Sequence, residues 1–270
     1  MSAGFAIAAA LMFATGVWGQ GVHRVMALDQ CADQFVLALA PRSTIVGLSQ
    51  RARNADAFLA VSARGLPLRR ATAESVLAAE PDLIVRFWGG DDRLMSSLRR
   101  RGIRVVTLND AADFSGVADN IRLVASALGR RQQGQVLVAR MQRDLDSAAV
   151  AWQGRTALYL TSGGDTAGSG TLIDAMMRSA GLRNLTIRPG YRSVSLEHLV
   201  QDPPQIIVEG FFDPGVDTTQ RWSLGRHAVV QRLEAGRLVI RLPARLLGCP
   251  AWFAAESVTQ LAKAAPGGAR

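Results

Sequence analysis

The chain has 270 residues, of which 49% are apolar and 20% charged, and this balance excludes intrinsic disorder as its main state. Its 26 Gly and 2 Cys exclude a collagen-like or disulfide-dense scaffold, and its length predicts about two domains. The formal net charge is +9, but Arg is spread along the whole chain rather than along one stripe, so we expect no nucleic-acid partner.

The chain opens on an apolar run between Gly4 and Val17. This run is shorter than a membrane span and is typical of the core of a secretory signal, although no Lys or Arg precedes it. We therefore predict a signal peptide over residues 1–20 and a periplasmic mature protein, with a buried N-terminal helix as the alternative. Leu28 to Gln30 precede Cys31, which does not fit a lipoprotein signal.

Strands and helices alternate through the first half of the chain. Buried strands are predicted at residues 24–28, 44–48, 83–87 and 104–108, and helices at residues 34–39, 74–79 and 94–101. This alternation predicts an N-terminal α/β lobe over residues 21–112, built on a largely parallel sheet with helices on both faces.

Residues 113–152 differ from the rest. Apolar residues recur at spacings of three and four from Phe114 to Leu128, and the pattern continues from Leu137 to Ala148. We predict a single long helical connector here, broken or capped near Gly129. Beyond it, predicted strands at 156–160, 205–209 and 237–242 alternate with helices again, which indicates a C-terminal α/β lobe over residues 153–265 and a frayed tail at 266–270.

The two halves contain an internal repeat. Residues 72–85 match residues 195–208, so that Glu74 corresponds to Glu197 and Pro81 to Pro204. In each half a Glu begins a short helix that runs through Pro into a hydrophobic strand. The repeat favours two related lobes over a chance likeness between two helix-to-strand units.

Four segments of the chain resemble segments of a known protein family, and the likeness lies in their order rather than in any one of them. They are residues 24–49, 71–87, 170–185 and 190–208. Over residues 22–262 the chain resembles the periplasmic substrate-binding proteins of ABC importers for ferric siderophores, haem and cobalamin, the class III or Fe/B12 group. The resemblance implies two Rossmann-like lobes joined by a long helix, with the ligand in the cleft between them. It also implies a monomeric binding protein without a cofactor, whose partners are a metal chelate or corrinoid and an ABC permease dimer.

Ligands of open α/β sheets lie beyond the carboxyl ends of the strands, where this chain offers aromatic residues and Arg. Aromatic faces suit a flat chelate, and Arg suits its carboxylate or catecholate edges. We therefore expect ligand contacts from a set of six residues, each of which loop packing would also explain. The set is Arg51, Trp88, Tyr191, Phe211, Trp222 and Trp252.

Three further expectations follow. The resemblance implies that Glu74 and Glu197 dock to Arg residues on the two permease subunits, although helix capping alone would also place a Glu there. Cys31 and Cys249 either form a disulfide or remain separate thiols. With three His in the chain, we expect no site for a bare metal ion.

An enzyme would need other features. The nucleophile pattern GxSxG does not occur, and the Gly-rich residues 163–171 lack the Lys of a phosphate-binding loop. We therefore expect a binding protein rather than an enzyme. The alternative is a periplasmic enzyme or sensor built on the same two-lobed scaffold, because fold alone does not determine function.

Overall fold

Two parallel β-sheets flanked by helices follow one another along the chain in a computed structural model, which describes residues 22–211 and 227–266. The predicted signal peptide, Trp222 and residues 267–270 lie outside the described residues. Within the described ranges, every helix is too short or too polar to cross a membrane. The α/β class with mainly parallel sheets is confirmed.

The first sheet has, within the described residues, five parallel strands in the order β3-β2-β1-β4-β5. These strands are β1 (Val25–Ala27), β2 (Ile45–Ser49), β3 (Leu68–Arg69), β4 (Leu83–Arg86) and β5 (Arg104–Thr107). Three helices pack on the sheet, namely α1 (Gln30–Leu39), α2 (Ala73–Leu77) and α3 (Asp92–Arg100), and a single 3-10 turn spans Arg42–Thr44. Each of the three α-helices begins at a side-chain cap, provided by Asp29, Thr72 and Asp91.

The strand order of the first sheet predicts where a ligand would bind. The chain moves outward from β1 to β2 and β3, and then crosses back to place β4 on the other side of β1. The winding therefore reverses between β1 and β4, and the carboxyl side of such a reversal is where open α/β sheets bind ligands. Helices cover both faces, because Val25 belongs to the core beneath α1 while Met26 belongs to the core beneath α2 and α3.

The predicted helical connector consists of two helices that meet at Gly129. Helix α4 (Phe114–Ala127) ends and α5 (Arg131–Ala148) begins on either side of Gly129, whose φ is +69°. The N–H of Gly129 donates to the carbonyl of Ser126, and the N–H of Arg130 donates to the carbonyl of Ala125. These bonds form a Schellman cap, which ends a helix where Gly adopts the left-handed conformation. The predicted break at Gly129 is confirmed, and the two helices pack against each other.

The second sheet has four parallel strands among the described residues, in the order β11-β10-β6-β8. They are β6 (Thr156–Thr161), β8 (Arg183–Asn184), β10 (Ile206–Gly210) and β11 (Leu238–Leu242). A short antiparallel ribbon of β7 (Asp165–Ala167) and β9 (Tyr191–Ser193), which the sequence did not predict, stands beside this sheet. The helices are α6 (Leu172–Ser179), α7 (Leu196–Gln201), α8 (Ala228–Ala235), α9 (Ala244–Leu247) and α10 (Ala254–Lys263).

The two copies of the internal repeat occupy equivalent positions in the two sheets. Helix α2 leads into β4, which pairs with β1, and α7 leads into β10, which pairs with β6. The last helix, α10, packs on α5 and α6. The indole N–H of Trp152 anchors that packing by donating to the carbonyl of Leu261 at 2.8 Å.

Candidate functional site

A pocket of about 320 Å³ lies between the two halves of the chain. The first half contributes Phe87, from the loop after β4, and residues 110–112, from the loop after β5. The second half contributes residues 170–173 at the start of α6, together with Tyr191 of the ribbon. Residues 247–250, at and after the end of α9, complete the wall. The pocket therefore lies where the loops at the carboxyl ends of parallel strands meet.

Aromatic rings stand exposed at this cleft. Tyr191 lines the pocket with 66% of its surface exposed, and Trp88, which directly follows the lining residue Phe87, is 55% exposed. Desolvation of the phenol raises the pKa of Tyr191, and the carboxylate of Asp110 raises it further. Because Asp110 follows the first sheet and Tyr191 belongs to the second half, this electrostatic interaction crosses the cleft. A tyrosine phenol is protonated at neutral pH, and both effects act in the same direction.

The base of the cleft is held together by covalent and aromatic contacts. Cys31, in the first turn of α1, is joined to Cys249, in the pocket wall, by a disulfide with Cα atoms 5.3 Å apart. Nearby, the ring of Phe35 meets the ring of Trp252 edge-on, with centroids 5.5 Å apart. Trp252 is only 6% exposed, so the structure places it in the packing beneath the pocket, where it has little surface left for a ligand.

Arg51 lies outside the residues that line the pocket. Its side chain is 52% exposed and forms an ion pair with Asp56 at 3.6 Å. The loop that carries Arg51 is anchored from below, because Ser49 donates from its N–H and its hydroxyl to the two carboxyl oxygens of Asp33, at 2.8 and 2.6 Å. Burial raises the pKa of Asp33 from 3.8 to about 7, against the opposing effect of these two hydrogen bonds.

Two aromatic candidates remain, Phe211 and Trp222. Phe211 follows β10 with a positive φ of 62° and is half-buried, outside the lining of the pocket. Trp222 falls outside the described residues. Of the six expected contact residues, the structure therefore brings Tyr191 to the pocket and Trp88 beside it.

Glu74 and Glu197 are both exposed, each in the first turn of its helix. Glu197 accepts a hydrogen bond from the side chain of Gln201 at 3.3 Å. Because α2 and α7 occupy equivalent places, the two carboxylates mark corresponding points on the two lobes.

Sequence reasoning missed the contribution of α6. Its first turn carries Thr171, Leu172 and Ile173 into the pocket, and Met176 lines it from one turn further on. The sequence contained a signal, since Thr171 directly precedes an apolar helical run and Thr is a preferred N-cap residue. In the structure Thr171 caps α6 by accepting from the N–H of Asp174. The described ranges contain no cluster of three or more His, Cys, Asp or Glu residues placed to hold a metal ion.

Known proteins share this architecture. The chain is 24% identical over 165 residues to an uncharacterised ABC transporter substrate-binding lipoprotein, YvrC, from Bacillus subtilis strain 168. That match covers 56% of this chain and 52% of YvrC, so the chain spans about half the length of this relative.

Solved structures extend the likeness to nearly the whole fold. A structure described as a possible iron-binding, periplasmic solute-binding protein from Staphylococcus epidermidis superimposes with a TM-score of 0.71 at 19% identity, covering 91% of this chain and 99% of the other. The haem-binding protein RhuT from Roseiflexus sp. RS-1 gives 0.69 at 22%, covering 90% and 98%. A family model described as "Periplasmic binding protein" matches residues 12–243, and this chain belongs to that family.

Proposed function

We propose that this protein captures a metal chelate in the cleft between its lobes and delivers it, chemically unchanged, to an ABC importer. The observation that carries the proposal is the pocket itself, which is built from loops at the carboxyl ends of both parallel sheets and bordered by the exposed rings of Trp88 and Tyr191. Exposed aromatic faces at a preformed cleft suit a broad flat ligand. Ferric siderophores, haem and cobalamin are the candidate ligands, and the relatives named for iron and haem binding support this class.

The six candidate residues have different proposed roles, according to where each lies relative to the pocket. Trp88 and Tyr191 contact the ligand directly, while Trp252 supports the floor through its ring contact with Phe35. Arg51, Phe211 and Trp222 remain proposed contacts from the surrounding loops. Residues 1–20 are the proposed export signal, which would direct the mature chain to the periplasm. We propose separately that the mature protein is a monomer.

Delivery depends on the outer surface. We assign permease docking to Glu74 and Glu197, because their helices repeat at equivalent positions of the two lobes and both carboxylates are exposed. Two separated negative groups suit a partner composed of two similar permease subunits. Rim charges of this kind mainly affect the rate of association and its dependence on salt.

A ligand panel tests the proposal. Haemin, cyanocobalamin and ferric siderophores of the catecholate and hydroxamate types are titrated into the mature protein while tryptophan fluorescence is recorded. We expect quenching by one class, because these ligands absorb strongly and Trp88 lies beside the pocket. The ligand is then extracted and compared with the starting material by mass spectrometry. Unchanged ligand supports a binding protein, whereas conversion supports an enzyme on the same scaffold. If no compound binds even at high micromolar concentration, the proposal is wrong.

A further inference from the structure

The carboxyl group of Asp29 gathers the backbone of the loop that carries Trp88. Its Oδ2 accepts hydrogen bonds from three successive N–H groups, those of Phe87 at 2.7 Å, Trp88 at 3.1 Å and Gly89 at 2.9 Å. Its Oδ1 accepts from the N–H of Ala32 at 2.9 Å and thereby caps α1. Asp29 is 1% exposed, so both of its oxygens are used inside the protein.

The same loop has no space to move toward the sheet. A Cβ atom at Gly89 would come within 2.4 Å of the carbonyl oxygen of Leu28, which requires glycine at this position. Gly90 follows with a φ of +82°, in the left-handed region that glycine favours. The backbone of the loop therefore lies directly on the end of β1, next to Asp29.

The loop that carries Trp88 combines a fixed backbone with an exposed aromatic ring. Three N–H groups are drawn inward to a buried carboxyl group, while the ring of Trp88 remains 55% exposed. The loop stands between β1 and β4, where the winding of the sheet reverses and ligands of such sheets bind. The ring is thus held in place without being covered by the protein.

We propose that Asp29 is a positioning residue for ligand capture, because it fixes the loop of Trp88 before the ligand arrives. A contact ordered in advance raises affinity, since the conformational cost of binding has already been met during folding. Asp29 acts through Trp88 and does not touch the ligand. This inference rests on the proposed function and goes beyond it by assigning a residue beneath the cleft.

Asp29→Asn separates the two roles of the carboxyl group. Asn is as good an N-cap as Asp, so α1 keeps its cap, but an amide NH₂ replaces the oxygen that accepts the three loop bonds. Asp113→Asn is the matched control. Asp113 is exposed and caps α4 by accepting from the N–H of Gly116 at 2.9 Å, and it lies outside the loop that carries Trp88. Should Asp29→Asn fail to fold, Asp29→Ser retains a capping oxygen and serves instead.

The first measurement needs no ligand. Amide hydrogen exchange over residues 86–90 of the free protein should accelerate in Asp29→Asn and stay unchanged in Asp113→Asn. The second measurement is the Kd for the member of the panel that the unaltered protein binds among haemin, cyanocobalamin and the ferric siderophores. We expect Asp29→Asn to weaken it about tenfold. In a Trp88→Ala background the same substitution should change Kd by less than about twofold, because the ring that it positions is gone.

Each outcome decides the proposal. Unchanged exchange or unchanged affinity in Asp29→Asn overturns it. An equal loss of affinity in the Trp88→Ala background also overturns it, since Asp29 would then act on the fold in general. If the unaltered protein binds no compound of the panel, the proposed function fails and the role in capture fails with it. The exchange data then report separately whether Asp29 orders the loop.

Discussion

Cys31 and Cys249 form a covalent link across the base of the cleft, between residues that are 218 positions apart in the chain. Cys31 lies two residues after Asp29, which holds the Trp88 loop, and Cys249 lines the pocket. The disulfide therefore connects the first turn of α1 to the opposite wall of the proposed ligand site.

Removing the disulfide should lower stability. A cross-link over so long a segment restricts the unfolded chain strongly, so we expect Cys31→Ala combined with Cys249→Ala to reduce the free energy of unfolding by about 2–5 kcal/mol. Urea unfolding of the double variant and of the unaltered protein measures this difference. Addition of reductant should weaken the unaltered protein and leave the double variant unaffected. Two free thiols per chain in the denatured, unreduced periplasmic protein would contradict the disulfide.

Ligand binding should move the lobes only slightly. The disulfide and the Phe35–Trp252 contact join the two halves at the base of the cleft, and α10 packs on α5 of the connector. We expect X-ray scattering curves of the free and ligand-bound protein to superimpose. The double Cys→Ala variant is the matched comparison, because it lacks one of these constraints. A large compaction of the unaltered protein on binding would show that the lobes close like a hinge.

Local patterns predicted much of this architecture. The apolar strands and the repeat around Glu74 and Glu197 indicated two related parallel sheets, because long buried runs and shared spacing are visible within a short stretch of sequence. Gly129 likewise predicted the helix break. What these patterns did not predict depends on distant parts of the chain. The bond between Asp29 and Phe87 joins residues 58 positions apart, and Trp252 packs against Phe35 from the opposite half of the chain.

The stability of the protein should depend on pH through Asp33. Because burial raises its pKa from 3.8 to about 7, the folded protein retains a proton on this group that the unfolded chain releases. The resulting stabilisation is present below about pH 4 and is lost as the pH rises through about 7. Asp33→Asn cannot titrate, so its stability relative to the unaltered protein should increase between pH 5 and pH 8.

Urea unfolding at the two pH values tests this expectation. Ser49→Ala is the control, because it removes the hydroxyl that donates to Asp33 at 2.6 Å and keeps the titrating group. Its stability should still fall as the pH rises. An identical pH dependence in Asp33→Asn and the unaltered protein would assign the effect to other groups.

Tyr191 should contribute its ring rather than a negative charge. A tyrosine phenol is neutral at pH 7, and desolvation and Asp110 raise its pKa further. Tyr191→Ala should weaken binding of the chelate about tenfold, while Tyr191→Phe, which keeps the aromatic face, should stay within about twofold. Ile187→Ala removes a comparably exposed apolar side chain outside the pocket lining and should have no effect. Equal losses in the Phe and Ala variants would instead indicate that the ligand binds the phenol oxygen.

Replacing both Glu74 and Glu197 by Arg should abolish uptake and leave ligand binding intact. The two carboxylates are exposed at equivalent places on the lobes, and neither lines the pocket. The substitution reverses two charges that the proposed permease contact requires. It also places positive charge near helix N-termini, which costs a few tenths of a kcal/mol.

A control with the same change in net charge is Asp119→Arg with Asp146→Arg on the exposed faces of α4 and α5. Chelate-dependent growth of cells and Kd of the purified variants are the two measurements. Normal growth with the Glu74→Arg, Glu197→Arg protein would reduce both residues to ordinary helix-terminal acids.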